Sequence, residues 1–126
     1  MISRLLLRVS VVLAVVGMTL GFAMGMREDF TLVPAHAHLN LVGFVAMFLA
    51  GLYYQITPKA ASSVLARYHA WIAIAGAVVF PAGIAVDLLD GSKLWVVLGA
   101  TIVLIGAVLF LVIVFRTTNM KEGTQP

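Results

Sequence analysis

The stretch Val33–Phe48, VPAHAHLNLVGFVAMF, places two histidines at the start of a long apolar run. Pro34 suits the first turn of a helix, because the N–H that proline lacks has no intrahelical partner there. The apolar run continues to about Thr57, and about 20 helical residues are enough to cross the hydrocarbon layer of a bilayer. The stretch therefore predicts a membrane-spanning helix over residues 35–57, with imidazoles near one of its ends.

The rest of the chain has the same apolar character. Of its 126 residues, 63% are hydrophobic and 10% are charged, a composition too apolar for a soluble domain of this length. Long apolar runs cover residues 5–26, 35–57, 64–89 and 94–115. Because only short polar segments separate these runs, we predict an all-α fold: an integral membrane four-helix bundle that forms a single domain over residues 1–126.

Two further features of the composition limit the function. The chain has no Cys, which excludes disulfides and thiolate metal sites. Its basic residues lie at the ends of the predicted helices instead of forming a patch, so nucleic acid is not an expected partner. The first apolar run also has some features of a signal peptide, but its length and the lack of a clear cleavage pattern favour a retained helix.

The distribution of charge orients the predicted bundle. If the N-terminus is cytoplasmic, the basic residues on the cytoplasmic side are Arg4, Arg8, Lys59, Arg67, Arg116 and Lys121, and those on the other side are Arg27 and Lys93. Basic residues favour the cytoplasmic side, so we expect both termini in the cytoplasm of a bacterial-type inner membrane. His36 and His38 then lie near the outer surface, and His69 lies near the inner surface, too far away to share an ion with them.

Small residues predict how the first helix packs. Gly17, Gly21 and Gly25 recur at four-residue spacing, which forms a groove that another helix can approach closely in lipid. A single four-helix protomer would leave two histidines facing lipid, so we expect a homo-oligomer that turns this face inward.

The spacing of the two histidines restricts their chemistry. Positions two apart on a helix point about 200° away from each other, so His36 and His38 do not chelate one metal from a regular helix, although the looser geometry of a helix start would let them converge. His36 and Asn40 lie four residues apart and share a face. An ionisable residue inside a membrane is a functional hypothesis by default, and imidazole suits heme iron, copper and zinc. The alternative is that both rings only form hydrogen bonds with carbonyl groups.

The segment HLNLVGFVAMF, from His38 to Phe48, resembles the heme-ligand helix in the catalytic subunit of heme-copper oxidases. It is most similar to the branch that contains the cbb3-type oxidases and the nitric oxide reductases. In that family the ligand of the low-spin heme is a histidine near the outer end of a helix that runs from outside to inside. A small or polar residue, apolar residues and a glycine follow it. The matching residues here are His38, Asn40 and Gly43.

The resemblance implies a small, four-helix single-repeat relative of that subunit with His38 as the heme ligand. We expect heme b to be bound through His38 and His36, with Asn40 as a further cofactor-binding residue. In the family, ligand-bearing helices recur at intervals of four in a twelve-helix subunit with pseudo-threefold symmetry. Three copies of this chain would supply as many helices, so a homotrimer is expected, with a dimer around one bis-histidine heme as the rival. The chain has no pair of adjacent histidines and no His-Pro-Glu motif. The sequence therefore leaves two alternatives: an oxidoreductase-like heme protein without the full oxygen-reducing centre, or a protein that is not an enzyme.

Two side chains outside the second helix are candidates for supporting roles. A ligating histidine usually donates its other N–H to a carboxylate or carbonyl, and Asp87 lies at a predicted depth similar to that of His36 and His38. His69 lies in the segment ARYHAW, where it is either an interfacial anchor, a proton-uptake group or a second ligand.

The leading hypothesis is a membrane protein that binds heme b, or a metal ion at His36 and His38, for electron transfer with a redox partner or for binding a small gas. The alternative is a non-catalytic protein for copper or zinc handling or for complex assembly. A small-solute transporter is a weaker hypothesis, because the sequence shows no inverted repeat or pair of broken helices.

Overall fold

The computed structural model describes the backbone of residues 1–122 and the side chains of residues 1–118, so the side chain of Lys121 and residues 123–126 lie outside it. The helices are α1 (Ile2–Arg27), α2 (Val33–Ile56), α3 (Pro58–Ala61), α4 (Val64–Asp90) and α5 (Leu94–Glu122). All except α3 contain a segment long and apolar enough to cross a membrane. This confirms the predicted all-α fold with four candidate spans, as in a multi-pass membrane protein.

Local sequence signals set the helix ends. The side chain of Ser63 accepts a hydrogen bond from the backbone N–H of Ala66 and so caps the start of α4. Gly91 follows the end of α4 with a φ of 73°, a left-handed conformation that glycine adopts without steric cost. Between α1 and α2, the carboxylate of Asp29 accepts hydrogen bonds from the N–H and the hydroxyl of Thr31. These tight connections place consecutive long helices side by side in opposite directions.

Helices α1 and α2 form the first antiparallel hairpin. Gly21, near the end of α1, lies opposite His36, near the start of α2. At the other end of the hairpin, a Cβ at Gly51 would lie 2.9 Å from the Cγ atom of Leu7. Small residues on both helices therefore allow the two backbones to approach closely along most of their length.

Helices α4 and α5 form the second hairpin, and here backbone meets backbone. A Cβ at Gly83 of α4 would lie 2.5 Å from the carbonyl group of Trp95, and a Cβ at Gly99 of α5 would meet the backbone of Phe80. Helix α4 also contacts α2, which joins the two hairpins into one bundle.

Several of the best-buried side chains lie at the end of the bundle that carries α3, which we call the α3 end. Leu6, Tyr54 and Ala66 in this region are at most 1% exposed. Over each candidate span, however, no more than 28% of the residues are buried. Most of the helical surface is therefore apolar and faces outward, as contact with lipid requires. The opposite end, where α1 ends and α2 begins, is called the Pro34 end.

Candidate functional site at helix α2

His36 lies between α2 and α1. Its Nδ1 atom is 2.8 Å from the carbonyl oxygen of Gly17. Because a carbonyl oxygen only accepts hydrogen bonds, Nδ1 carries the ring proton and donates the hydrogen bond. The ring lies over Gly21, where a Cβ would come within 2.6 Å of Cε1 and 3.3 Å of Nε2. The two glycines therefore provide the acceptor and the space that hold His36 against α1.

Asn40 occupies the neighbouring notch on the same face. A Cβ at Gly17 would lie 2.5 Å from its Nδ2 atom, and Nδ2 donates a hydrogen bond of 3.0 Å to the carbonyl of His36. The prediction that His36 and Asn40 share a face is confirmed, and so is the predicted groove at Gly17 and Gly21. At Gly25 the predicted groove is not formed by the described residues, since none of their atoms outside the adjoining helix turn lies within 4 Å of a Cβ there.

The backbone of α2 changes its winding directly after the histidines. Residues Leu39–Ala46 form a π-helix, in which backbone N–H groups bond to carbonyls five residues earlier instead of four. Such segments inside α-helices occur frequently at functional sites. This one begins beside His38 and includes Asn40, so it lies where the sequence places the candidate ligands. No sequence pattern predicted it.

His38 lies on the other side of α2 and contacts α4. Its ring packs edge-on against that of Phe80, with the ring centroids 4.8 Å apart. Its Nδ1 atom lies 2.8 Å from the carbonyl oxygen of Pro34 and donates to it. Nε2 then carries the lone pair, and the described residues give this atom no hydrogen-bond partner.

The two histidines therefore do not converge within one chain, as the spacing predicts. His36 lies against α1, whereas His38 lies against α4. Among the residues whose side chains are described, no three His, Asp or Glu groups come together as a metal site. A ligand shared by several donors would have to collect them from more than one copy of the chain.

Asp87 makes no hydrogen bond to either histidine ring within the described part of the chain. Its backbone carbonyl accepts the N–H of Gly91 at the end of α4, and carbonyl groups of the helices satisfy the Nδ1 atoms of His36 and His38. The supporting role of Asp87 stays a prediction.

His69 lies at the α3 end and has partners of its own. The side chain is 4% exposed, and its Nδ1 atom lies 3.0 Å from the hydroxyl oxygen of Tyr54. Its ring stacks on that of Phe110, with centroids 5.0 Å apart. No pattern in the sequence pointed to Tyr54 as the partner of His69. The available signal was that both residues lie a few positions from the connection between α2 and α4.

Comparisons with known proteins place the chain in no family. It matches no family model, no curated protein and no solved structure.

Proposed function

We propose that this membrane protein binds heme b through His38 at the Pro34 end of the bundle, as a small relative of one repeat of a heme-copper oxidase catalytic subunit. The proposal rests on the hydrogen bonding of the two ring nitrogens of His38. Its Nδ1–H is engaged with the carbonyl of Pro34, and ligating histidines commonly donate their second N–H in this way. Nε2 is left with the lone pair that iron requires. A bound heme would supply electron transfer or the binding of a small gas.

His38 fits the ligand role better than His36. The ring of His36 lies against Gly21, with both nitrogens within 3.3 Å of where a Cβ would be, so α1 covers it. The ring of His38 lies away from α1 and touches Phe80 with an edge-on geometry. His36 and Asn40 then act as positioning residues, because they fix α2 on α1 and thereby fix the site of His38.

Within a single chain, the donors fit heme better than a bare copper or zinc ion. Structural and catalytic zinc sites use three or four protein ligands, and the described side chains of one chain offer no such group. Heme iron takes axial ligands from the protein while the porphyrin supplies the other donors. A single imidazole per chain is therefore sufficient for heme. Three imidazoles from three copies would also fit a zinc ion, and elemental analysis distinguishes that case.

The proposal includes an assembly of several copies. If the heme takes a second protein ligand, another chain would supply it, because His36 and His38 lie on different sides of α2. We propose a homotrimer in a bacterial-type inner membrane, with cytoplasmic termini and electrons exchanged with a redox partner. A dimer around one bis-histidine heme is the alternative. The mass of the intact complex, measured by native mass spectrometry, distinguishes three copies from two.

The test is an absorption spectrum of the detergent-purified full chain, oxidised and reduced, for wild type, His38→Ala and His36→Ala. We expect a Soret band in the wild type, its loss in His38→Ala, and a weaker but detectable band in His36→Ala, because His36 only positions α2. His38→Met should keep an axial ligand but shift the spectrum, since axial-ligand identity tunes heme iron.

Two results would overturn the proposal. One is a wild-type protein without a Soret band when expressed with an ample heme supply. The other is an unchanged heme spectrum in His38→Ala. Elemental analysis of the same preparation for iron, copper and zinc identifies the metal-handling alternative, in which copper or zinc is bound and porphyrin is not.

A further inference from the structure

A cavity lies between α2, α4 and α5, near His69. Its volume is about 320 Å³. The wall is apolar and made largely of small residues, among them Val42, Ala46, Ala50, Ala73, Gly106 and Ala107. Ala46, Leu49 and Ala107 in this wall are exposed side chains, so the cavity opens on the side of the bundle, where lipid surrounds a membrane-spanning protein.

His69 brings a polar atom to this apolar wall. The residue lines the cavity and is 4% exposed. Its Nδ1 atom is paired with the hydroxyl of Tyr54, and no described residue pairs with Nε2. Every fully buried side-chain nitrogen among the described residues has a hydrogen-bond partner. Because Nε2 has no such partner, it is not fully buried and reaches the cavity surface. The ring of Phe110, which stacks on His69, also forms part of the wall.

The hydroxyl of Tyr54 and Nδ1 of His69 form one hydrogen bond, and Nδ1 is the one acceptor that the described residues offer this hydroxyl. In the tautomer that uses it, the hydroxyl donates to Nδ1 and the ring proton sits on Nε2. An N–H group that faces apolar surroundings without an acceptor costs free energy. The cavity therefore suits a ligand that is apolar over most of its surface and carries one acceptor oxygen.

Tyr54 lies in the wall of a second cavity, at the α3 end. This cavity has a volume of about 360 Å³ and is bordered by polar side chains that include Ser3, Arg4 and Gln55. The hydrogen-bonded pair of Tyr54 and His69 thus lies between a polar cavity at the end of the bundle and an apolar cavity that opens towards lipid.

We propose that the apolar cavity binds the ring of a membrane-soluble quinone. A ring carbonyl accepts the hydrogen bond from Nε2–H of His69, and the alkyl tail leaves between Leu49 and Ala107 into the lipid. The volume is at the low end of the range of about 300–1,000 Å³ typical of small-molecule sites, which suits a single substituted ring. A lipid acyl chain would fill the same space but leave Nε2–H without an acceptor. This site does not depend on heme binding at His38.

The test uses the full chain in nanodiscs of synthetic phosphatidylcholine free of quinone. An azido-substituted benzoquinone with a decyl tail is photo-crosslinked, competed with decylubiquinone, and mapped by peptide mass spectrometry. Ala107→Phe fills the cavity from its exposed rim. Val108→Phe is the matched control, because Val108 is 54% exposed and lies outside the cavity wall. His69→Leu removes the donor.

We expect saturable labelling in wild type and Val108→Phe, and its loss in Ala107→Phe. His69→Leu should weaken binding about tenfold, the effect of one lost hydrogen bond. If His69→Leu does not fold, the pair of variants at positions 107 and 108 still decides the question, since both change exposed residues.

Three results would overturn the proposal: no saturable labelling, equal labelling of Ala107→Phe and wild type, or labelling that oleate displaces equally well and that His69→Leu leaves unchanged. The last identifies an acyl chain as the occupant. His38→Ala should keep the quinone labelling, so failure of the heme proposal and failure of this one are distinguishable.

Discussion

Replacement of Gly21 by alanine tests whether His36 holds α2 on α1. The new Cβ would lie 2.6 Å from Cε1 of His36 and 3.2 Å from Nδ1, distances that real Cβ atoms avoid. The ring cannot stay where it is. Because Nδ1 donates to the carbonyl of Gly17 at 2.8 Å, displacement of the ring also lengthens or breaks that hydrogen bond.

The size of the effect follows from three contributions. Overpacking of a well-packed contact costs about 1–3 kcal/mol, and loss of the hydrogen bond costs about 1 kcal/mol more. The better helix propensity of alanine offsets about 1 kcal/mol. We therefore expect Gly21→Ala to lower the free energy of unfolding by about 1–3 kcal/mol.

The assay is equilibrium unfolding in mixed detergent micelles, followed by circular dichroism. Gly25→Ala is the matched control, since it lies one turn further along the same helix and a Cβ there meets no atom of the described residues outside its own helix turn within 4 Å. The double variant Gly21→Ala/His36→Ala removes the ring that the new Cβ would meet. It should therefore lose less stability than the two single changes add up to.

Equal stability of Gly21→Ala and Gly25→Ala would refute this account of the α1–α2 contact. Strict additivity in the double variant would do the same, because it would show that the alanine acts on something other than the imidazole of His36.

Three further predictions concern other parts of the molecule. Gly99→Ala should destabilise the protein by about 3 kcal/mol or more in the same unfolding assay, because its Cβ meets the backbone of α4 instead of a movable side chain. Tyr54→Phe should cost about 1–3 kcal/mol by leaving the buried His69 without its partner, measured as a shift of the unfolding midpoint. Hydrogen bonds from the side chain and backbone of Thr31 lower the pKa of Asp29 below its ordinary value. The turn after α1 is therefore most stable at neutral pH and loses this support as the pH falls through the lowered pKa. The amide NMR signal of Thr31 should report that transition, and Asp29→Asn should abolish it.

Sequence alone predicts the four long helices of this protein. Their lengths and apolar composition are set by the thickness of the bilayer, and the connections between them carry strong local signals such as Ser63 and Gly91. The spacing of His36 and His38 also determines that the two rings lie on different sides of their helix, because a helix turns by about 100° per residue.

Sequence does not determine what each polar residue meets. The groove at Gly17 and Gly21 is visible as a four-residue pattern, but only the tertiary structure shows that Asn40 and His36 fill it. The π-helical segment has no pattern that predicts it. The contact between His69 and Tyr54 joins two helices and depends on their relative rotation.

The physical reason is that lipid is as apolar as a protein core. In a soluble protein, the buried face of a helix is marked by apolar residues that recur every three or four positions among polar ones. Here the outward and the inward faces of each span are both apolar, so the sequence predicts only where a helix crosses the membrane. Close packing at glycines and hydrogen bonds between helices determine how each helix is rotated about its own axis. That rotation directs His38 towards α4, His36 towards α1 and His69 into the apolar cavity.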